Sequence, residues 1–150
     1  MIIDIHTHIF PPAVRKDRAA FLKNEEAFTS VYQDPKARII GATELVQAMD
    51  EEGVDLSVTF GFPWSDEGTA KAHNDYILEA QVRFPNRLVG LSCFNPVKSW
   101  AEREAERTLE AGLFGLGELA LYGTGFDEHA LQSMANLGAV SYTHLTLPTN

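Results

Sequence analysis

Hydrophobic and polar residues alternate from Met1 to His8. Ile3, Ile5 and Thr7 fall on one side and Asp4, His6 and His8 on the other, which is the period of two of a β-strand, here with a polar stripe. From Phe10 to Ala42 the period is lost. Pro11, Pro12, a mixed-charge run and Asp34-Pro35 predict one or two short helices inside a long excursion, and excursions of that kind usually carry function or lack order. Leu45, Val46 and Met49 then recur on one face and predict a helix over 44–52, capped by Thr43 and stopped by Gly53. The apolar run 54–60 reads as a buried strand. The pattern repeats with a helix over 68–84, carrying Ala72, Tyr76, Ile77 and Ala80 at helical spacing with Pro85 just beyond, and a strand over 88–94. A charged amphipathic helix over 100–111 ends at Gly112, followed by a Gly-rich fourth strand over 113–122 and a fourth helix over 127–137.

Four strand–helix alternations about 30 residues apart imply a parallel sheet with right-handed crossovers. No glycine fingerprint of a nucleotide-binding fold follows the first strand, so the open doubly wound sheet loses its best support. A barrel is the better expectation. A (β/α)8 barrel takes roughly 250 residues, and this chain of 150 supplies about four of the eight units. The fold class expected is therefore α/β, the N-terminal half of a (β/α)8 TIM barrel. Residues 129–150 contain no Asp, Glu, Lys or Arg, and the closing SYTHLTLPTN resembles translated sequencing-adapter DNA. Residues 1–138 are thus expected to form the partial barrel domain and 139–150 a non-native tail, the alternative being a genuine fifth strand carrying His144.

Composition narrows the function classes. Twelve Lys and Arg against 21 Asp and Glu give a net charge of −9 without a basic cluster, which argues against nucleic acid or an anionic membrane as partner. One cysteine, Cys93, excludes an intrachain disulfide. The N-terminus lacks a basic segment and carries Asp4, His6 and His8, so it does not read as a secretion signal. A cytoplasmic protein acting on a small molecule is the resulting expectation.

The strongest chemical signal is Asp4-Ile5-His6-Thr7-His8. Residues two apart on a strand point the same way, so His6 and His8 can present both imidazoles to one divalent cation at the strand's C-terminal end. Asp4, one pleat below, is placed to accept a proton from an imidazole and orient it. The competing reading is a pair of hydrogen-bonded inner-face histidines.

These residues resemble a known family. IDIHTHIFPP, HNDYILEAQVRFPNRLVGLSCFNP and GLGELALYGTGFD together look like the amidohydrolase superfamily, specifically its amidohydrolase-related (amidohydrolase 2) branch, over residues 1 to about 138. The resemblance implies a metal-dependent (β/α)8 barrel in which His6 and His8 are metal ligands, with Zn2+ the first expectation for the metal. It also makes Glu118, in the fourth strand, a third ligand or a support for the metal. Further histidines from strands five and six and an Asp from strand eight are expected beyond this segment, and so is the general base; no catalytic residue is assigned within the chain.

His73 and His129 sit on helices, which favours surface or helix-packing roles away from the strand tops. Cys93 reads as a small core residue, because no histidine is placed to activate it. Loops after the strands are expected to touch substrate: Phe62 and Trp64 in FGFPW and Asn95 after the third strand, with packing an equal reading for the aromatics. Three functions follow. The leading one is a metal-dependent hydrolase of C–N or C–O bonds in a small molecule. The second keeps fold and metal but removes carbon dioxide from an aromatic acid. The third is a non-catalytic half barrel whose unpaired edges favour self-association, and for the 150-residue polypeptide alone inactivity is expected.

Overall fold

The computed structural model describes residues 1–122, 128–129, 132–133 and 135–138. The alternating N-terminus forms β1 (Ile3–His8). The excursion then folds into α1 (Pro12–Lys16), α2 (Arg18–Leu22) and α3 (Glu26–Tyr32), before α4 (Ala42–Glu52), β2 (Leu56–Phe60), α5 (Glu67–Arg83), β3 (Leu88–Leu91) and α6 (Ala101–Glu110). β1, β2 and β3 make a parallel sheet in chain order. The expected strand–helix alternation is therefore present through α6. The helix expected over 127–137 falls partly outside the described residues, and the tail 139–150 with His144 lies wholly outside them.

Two differences from the sequence reading concern the sheet. The fourth strand is reduced to a single bridge between Ser92 and Leu116. Phe114 N–H donates to Gly90 O at 3.0 Å, Ser92 N–H to Gly115 O at 2.9 Å and Gly117 N–H to Ser92 O at 2.8 Å, so the segment runs parallel beside β3 and then leaves. Gly117 has φ 154°, a backbone state off the strand region that glycine adopts at low cost. The second difference is in β1. Asp4 pairs with Ser57 and Thr7 with Thr59, so three steps on β1 oppose two on β2, and one extra residue changes which face each later side chain takes.

α4 begins without the Thr43 cap expected for it, and its first residue, Ala42, donates its N–H to the Tyr76 hydroxyl of α5 at 2.8 Å. A neighbouring helix thus meets a helix-terminal donor that would otherwise need a local cap. α5 follows the local rule, with the Asp66 carboxylate accepting from Thr69 N–H at 2.8 Å.

The core has two regions. Ile9, Leu45, Met49, Ile77, Leu88 and Leu113 pack as an aliphatic layer that includes α4 and α5. Phe10, Phe28, Phe62, Trp64, Phe94 and Trp100 form an aromatic layer that joins the excursion to the loops after β2 and β3. The excursion is ordered by polar contacts as well. Glu25 accepts from Ser65 and Asp66 N–H at 2.9 Å each, and Arg18 donates to Asp34 O at 2.8 Å and Ala37 O at 2.6 Å. β1 lines the open side, with Ile5 75% exposed. Among the described residues, no helix is long and apolar enough to cross a membrane.

Candidate metal centre

His8 ends β1 and Gly61 directly follows β2, so the two meet at the C-terminal edge of the sheet. His8 Nδ1 lies 2.7 Å from Gly61 O. A carbonyl oxygen only accepts, so Nδ1 carries the proton and the neutral ring presents the lone pair of Nε2. His6 brings its own Nε2 to 3.2 Å from that atom. Glu118, just past the bridge to β3, sets Oε2 at 3.6 Å from His6 Nε2 and 3.7 Å from His8 Nε2. Phe60 supports both rings edge-on, with centroids 4.9 Å from His6 and 4.7 Å from His8.

His6, His8 and Glu118 each offer a donor atom within 4.8 Å of the others. Metal–ligand bonds of about 2.1 Å at tetrahedral or octahedral angles separate neighbouring donors by about 3.0–3.4 Å. The separations here are close to that range, and two imidazole nitrogens with a carboxylate oxygen suit a divalent transition cation. His6 and Glu118 leave the cluster open on one side, their side chains being 58% and 38% exposed.

The surroundings are electrostatically consistent. Burial pushes the His8 pKa down, with the neighbouring His6 ring acting in the same direction, while the Gly61 carbonyl and Glu118 oppose it; a neutral His8 is what ligation requires. Tyr32 is pushed up to about 12, first by burial and then by Tyr122 and Glu118. Tyr122 is raised as well, by burial and by Glu118. Both phenols therefore stay neutral near pH 7.

Several sequence expectations are corrected. Asp4 does not orient an imidazole: its carboxylate accepts the His6 main-chain N–H at 3.1 Å, because the extra residue in β1 shifts its register. The Gly61 carbonyl orients His8 instead. Trp64 is fully buried and donates its indole N–H to His73 Nδ1 at 2.7 Å, so the packing reading describes it. Phe62 is 2% exposed and stacks behind Tyr122 with ring centroids 5.9 Å apart. Asn95 holds one loop to another, its Nδ2 donating to Ser65 Oγ at 3.3 Å and its main-chain N–H to Trp64 O at 3.2 Å.

His73 is not a surface residue remote from the strand tops. It is fully buried on α5, with Nε2 2.6 Å from Ile9 O, and burial lowers its pKa to about 4. His129 is exposed, as expected of a helix surface. Cys93 is fully buried and donates through Sγ to Glu118 O at 3.0 Å, and burial pushes its thiol pKa well up. Phe60, Gly61 and Tyr122 were not anticipated. Only the position of Phe60 and Gly61 at the end of a predicted strand could have suggested them.

A parallel β/α barrel segment with two imidazoles and a carboxylate gathered at the C-terminal edge of its sheet is the class that fold and geometry define. No family model and no curated protein sequence matches the chain, whereas solved structures do. A 5-carboxyvanillate decarboxylase from Novosphingobium aromaticivorans DSM 12444, solved with manganese and 4-hydroxy-3-methoxy-5-nitrobenzoic acid, matches 93% of this chain and 48% of its own with a TM-score of 0.71 at 17% identity. The 5-carboxyvanillate decarboxylase LigW from Sphingomonas paucimobilis matches 93% of this chain and 49% of its own, with a TM-score of 0.70 at 21% identity. A putative amidohydrolase from Staphylococcus aureus matches 93% and 44%, with a TM-score of 0.60 at 17% identity. The chain spans about half the length of these structures. At such identities the likeness is one of fold: the chain has the fold of part of the TIM barrel these structures share, as the sequence pattern implied.

Proposed function

We propose that this chain is the metal-holding segment of an enzyme of the amidohydrolase-related family, and that the enzyme removes carbon dioxide from an aromatic carboxylic acid. The observation that carries the proposal is the convergence of His6, His8 and Glu118 at the C-terminal edge of the parallel sheet. The choice of reaction is supported by the fold likeness to two decarboxylases, one of them solved with manganese and a nitrobenzoic acid. Aromatic side chains beside the donors suit a flat substrate: Tyr122 is 36% exposed and stacks on Phe62, and such faces bind aromatic rings.

Manganese and zinc both suit the donor set, and manganese has the support of the likeness. When bound, a divalent cation supplies positive charge that holds and polarises an anionic substrate oxygen. The chain's own residues do the rest. Gly61 fixes the His8 tautomer, Phe60 keeps both imidazoles upright, and the neutral phenols of Tyr32 and Tyr122 contribute hydrogen-bonding groups to the wall. In the overall reaction the bond from ring carbon to carboxylate breaks, carbon dioxide leaves, and a proton takes its place on the ring.

Hydrolysis remains the second reading, supported by the fold likeness to a putative amidohydrolase. Incubating the Mn2+-loaded full-length enzyme that contains this segment with hydroxylated benzoic acids, and separately with amide and ester substrates, separates the two. Metal-dependent carbon dioxide release that disappears in His8→Ala is the expected result. Hydrolytic products without carbon dioxide would replace the decarboxylase reading with the hydrolase one, and turnover that survives removal of all metal would overturn both.

A further inference from the structure

Buried His73 lies behind the metal centre, and the chemistry already described leaves it without a part. An indole N–H can only donate, so the 2.7 Å bond from Trp64 Nε1 forces His73 Nδ1 to accept. His73 therefore carries its proton on Nε2 and donates it to Ile9 O at 2.6 Å. Ile9 follows His8 in the chain. The His73 ring also lies against Gly61, where an added Cβ would fall 2.9 Å from His73 Cγ and 3.0 Å from Cδ2. Gly61 is the residue whose carbonyl accepts the His8 Nδ1 proton. One buried imidazole thus touches both main-chain positions that determine where the His8 ring sits.

The geometry points to His73 as a positioning residue for His8, with Trp64 fixing the tautomer of His73. Two imidazoles are set in opposite senses by this arrangement. His73 holds its proton on Nε2, pins the strand end through Ile9 O and keeps Gly61 in place, while His8 holds its proton on Nδ1 and frees Nε2 for the cation. Burial enforces the pairing, because every polar atom of a fully enclosed imidazole needs a partner. Trp64, for which the sequence left substrate contact and packing as equal readings, acts here through the hydrogen bond on its concealed edge.

The metal part of this inference rests on His8 ligating a cation, whereas its tautomer part does not. The test uses His73→Phe, which keeps ring bulk without either hydrogen bond, His73→Gln, whose amide can both accept and donate, and Trp64→Phe, which removes the single donor that fixes His73. Nitrogen-15 NMR of the histidine rings reads the His8 tautomer, and titration with Mn2+ reads affinity. In the native chain His8 is expected as the Nδ1–H form. His73→Phe and Trp64→Phe should give a mixture of His8 tautomers and weaken Mn2+ binding roughly 10- to 100-fold, the usual effect of losing a group that orients a ligand, with His73→Gln restoring part of both.

An unchanged His8 tautomer in folded His73→Phe would overturn the inference. Should that variant not fold, an unchanged tautomer in Trp64→Phe would do the same. Absence of Mn2+ binding by the native chain would instead count against the proposed metal centre, and the tautomer measurement would still decide the role of His73.

Discussion

His8 and His73 show how a single ring nitrogen decides what an imidazole does. Each ring gives one N–H to a main-chain carbonyl, Gly61 for His8 and Ile9 for His73, and the remaining nitrogen takes its character from what faces it. For His8 that is the open cluster with His6 and Glu118; for His73 it is the Trp64 indole. Full burial of His73 carries a pH cost whose sign follows from linkage. Its folded pKa of about 4 lies below the ordinary value of 6.5, so between those values the unfolded chain binds more protons than the folded one. Stability is therefore expected to be full above about pH 6.5 and to fall as pH drops toward 4, by up to about 3 kcal/mol from this residue. Denaturant titrations from pH 7 to 4 should show the fall, and His73→Gln should flatten it; an equally steep fall in that variant would contradict the assignment. The H-x-H signal was legible because it needs only strand periodicity. The burial of His73 was not, because its partners lie nine residues back in a loop and at the end of β1.

At the scale of elements, the excursion between β1 and α4 depends on Glu25. Its carboxylate closes onto the Ser65 and Asp66 N–H groups, so α3 is fastened to the start of α5 by charge-assisted bonds. Glu25→Ala leaves those donors without their acceptor, and a loss of about 1–3 kcal/mol is expected. Urea denaturation measures it, and limited proteolysis within residues 10–41 should accelerate in step; unchanged stability would show that the aromatic layer alone holds the excursion. Periodicity marked α4, β2, α5, β3 and α6 to within a few residues, because each has one face against the core, and it marked β1 by alternation alone although Ile3 and Ile5 are exposed. It could not reveal the extra residue in β1, which places Asp4 away from the imidazoles, since side-chain alternation assumes an unbroken register. The fourth strand failed for a related reason: an apolar, Gly-rich run satisfies the pattern, yet the backbone at Gly117 departs from it.

For the whole molecule, the parallel sheet, the alternating helices and the match to about half of several solved TIM barrels agree on architecture. The fold class was legible because four repeated units and the missing nucleotide-binding glycines left few alternatives. The ranking of reactions was not, since hydrolases and decarboxylases on one barrel differ in details of the site that a strand pattern does not carry. The proposed function stands on His6, His8 and Glu118 holding one divalent cation. The most direct test is calorimetric titration of Mn2+, and separately Zn2+, into the metal-free chain and into His6→Ala, His8→Ala and Glu118→Gln. One cation per chain is expected, with binding abolished or weakened at least about tenfold in each variant. Binding with unchanged stoichiometry and affinity in all three, or no binding by the native chain, would contradict it.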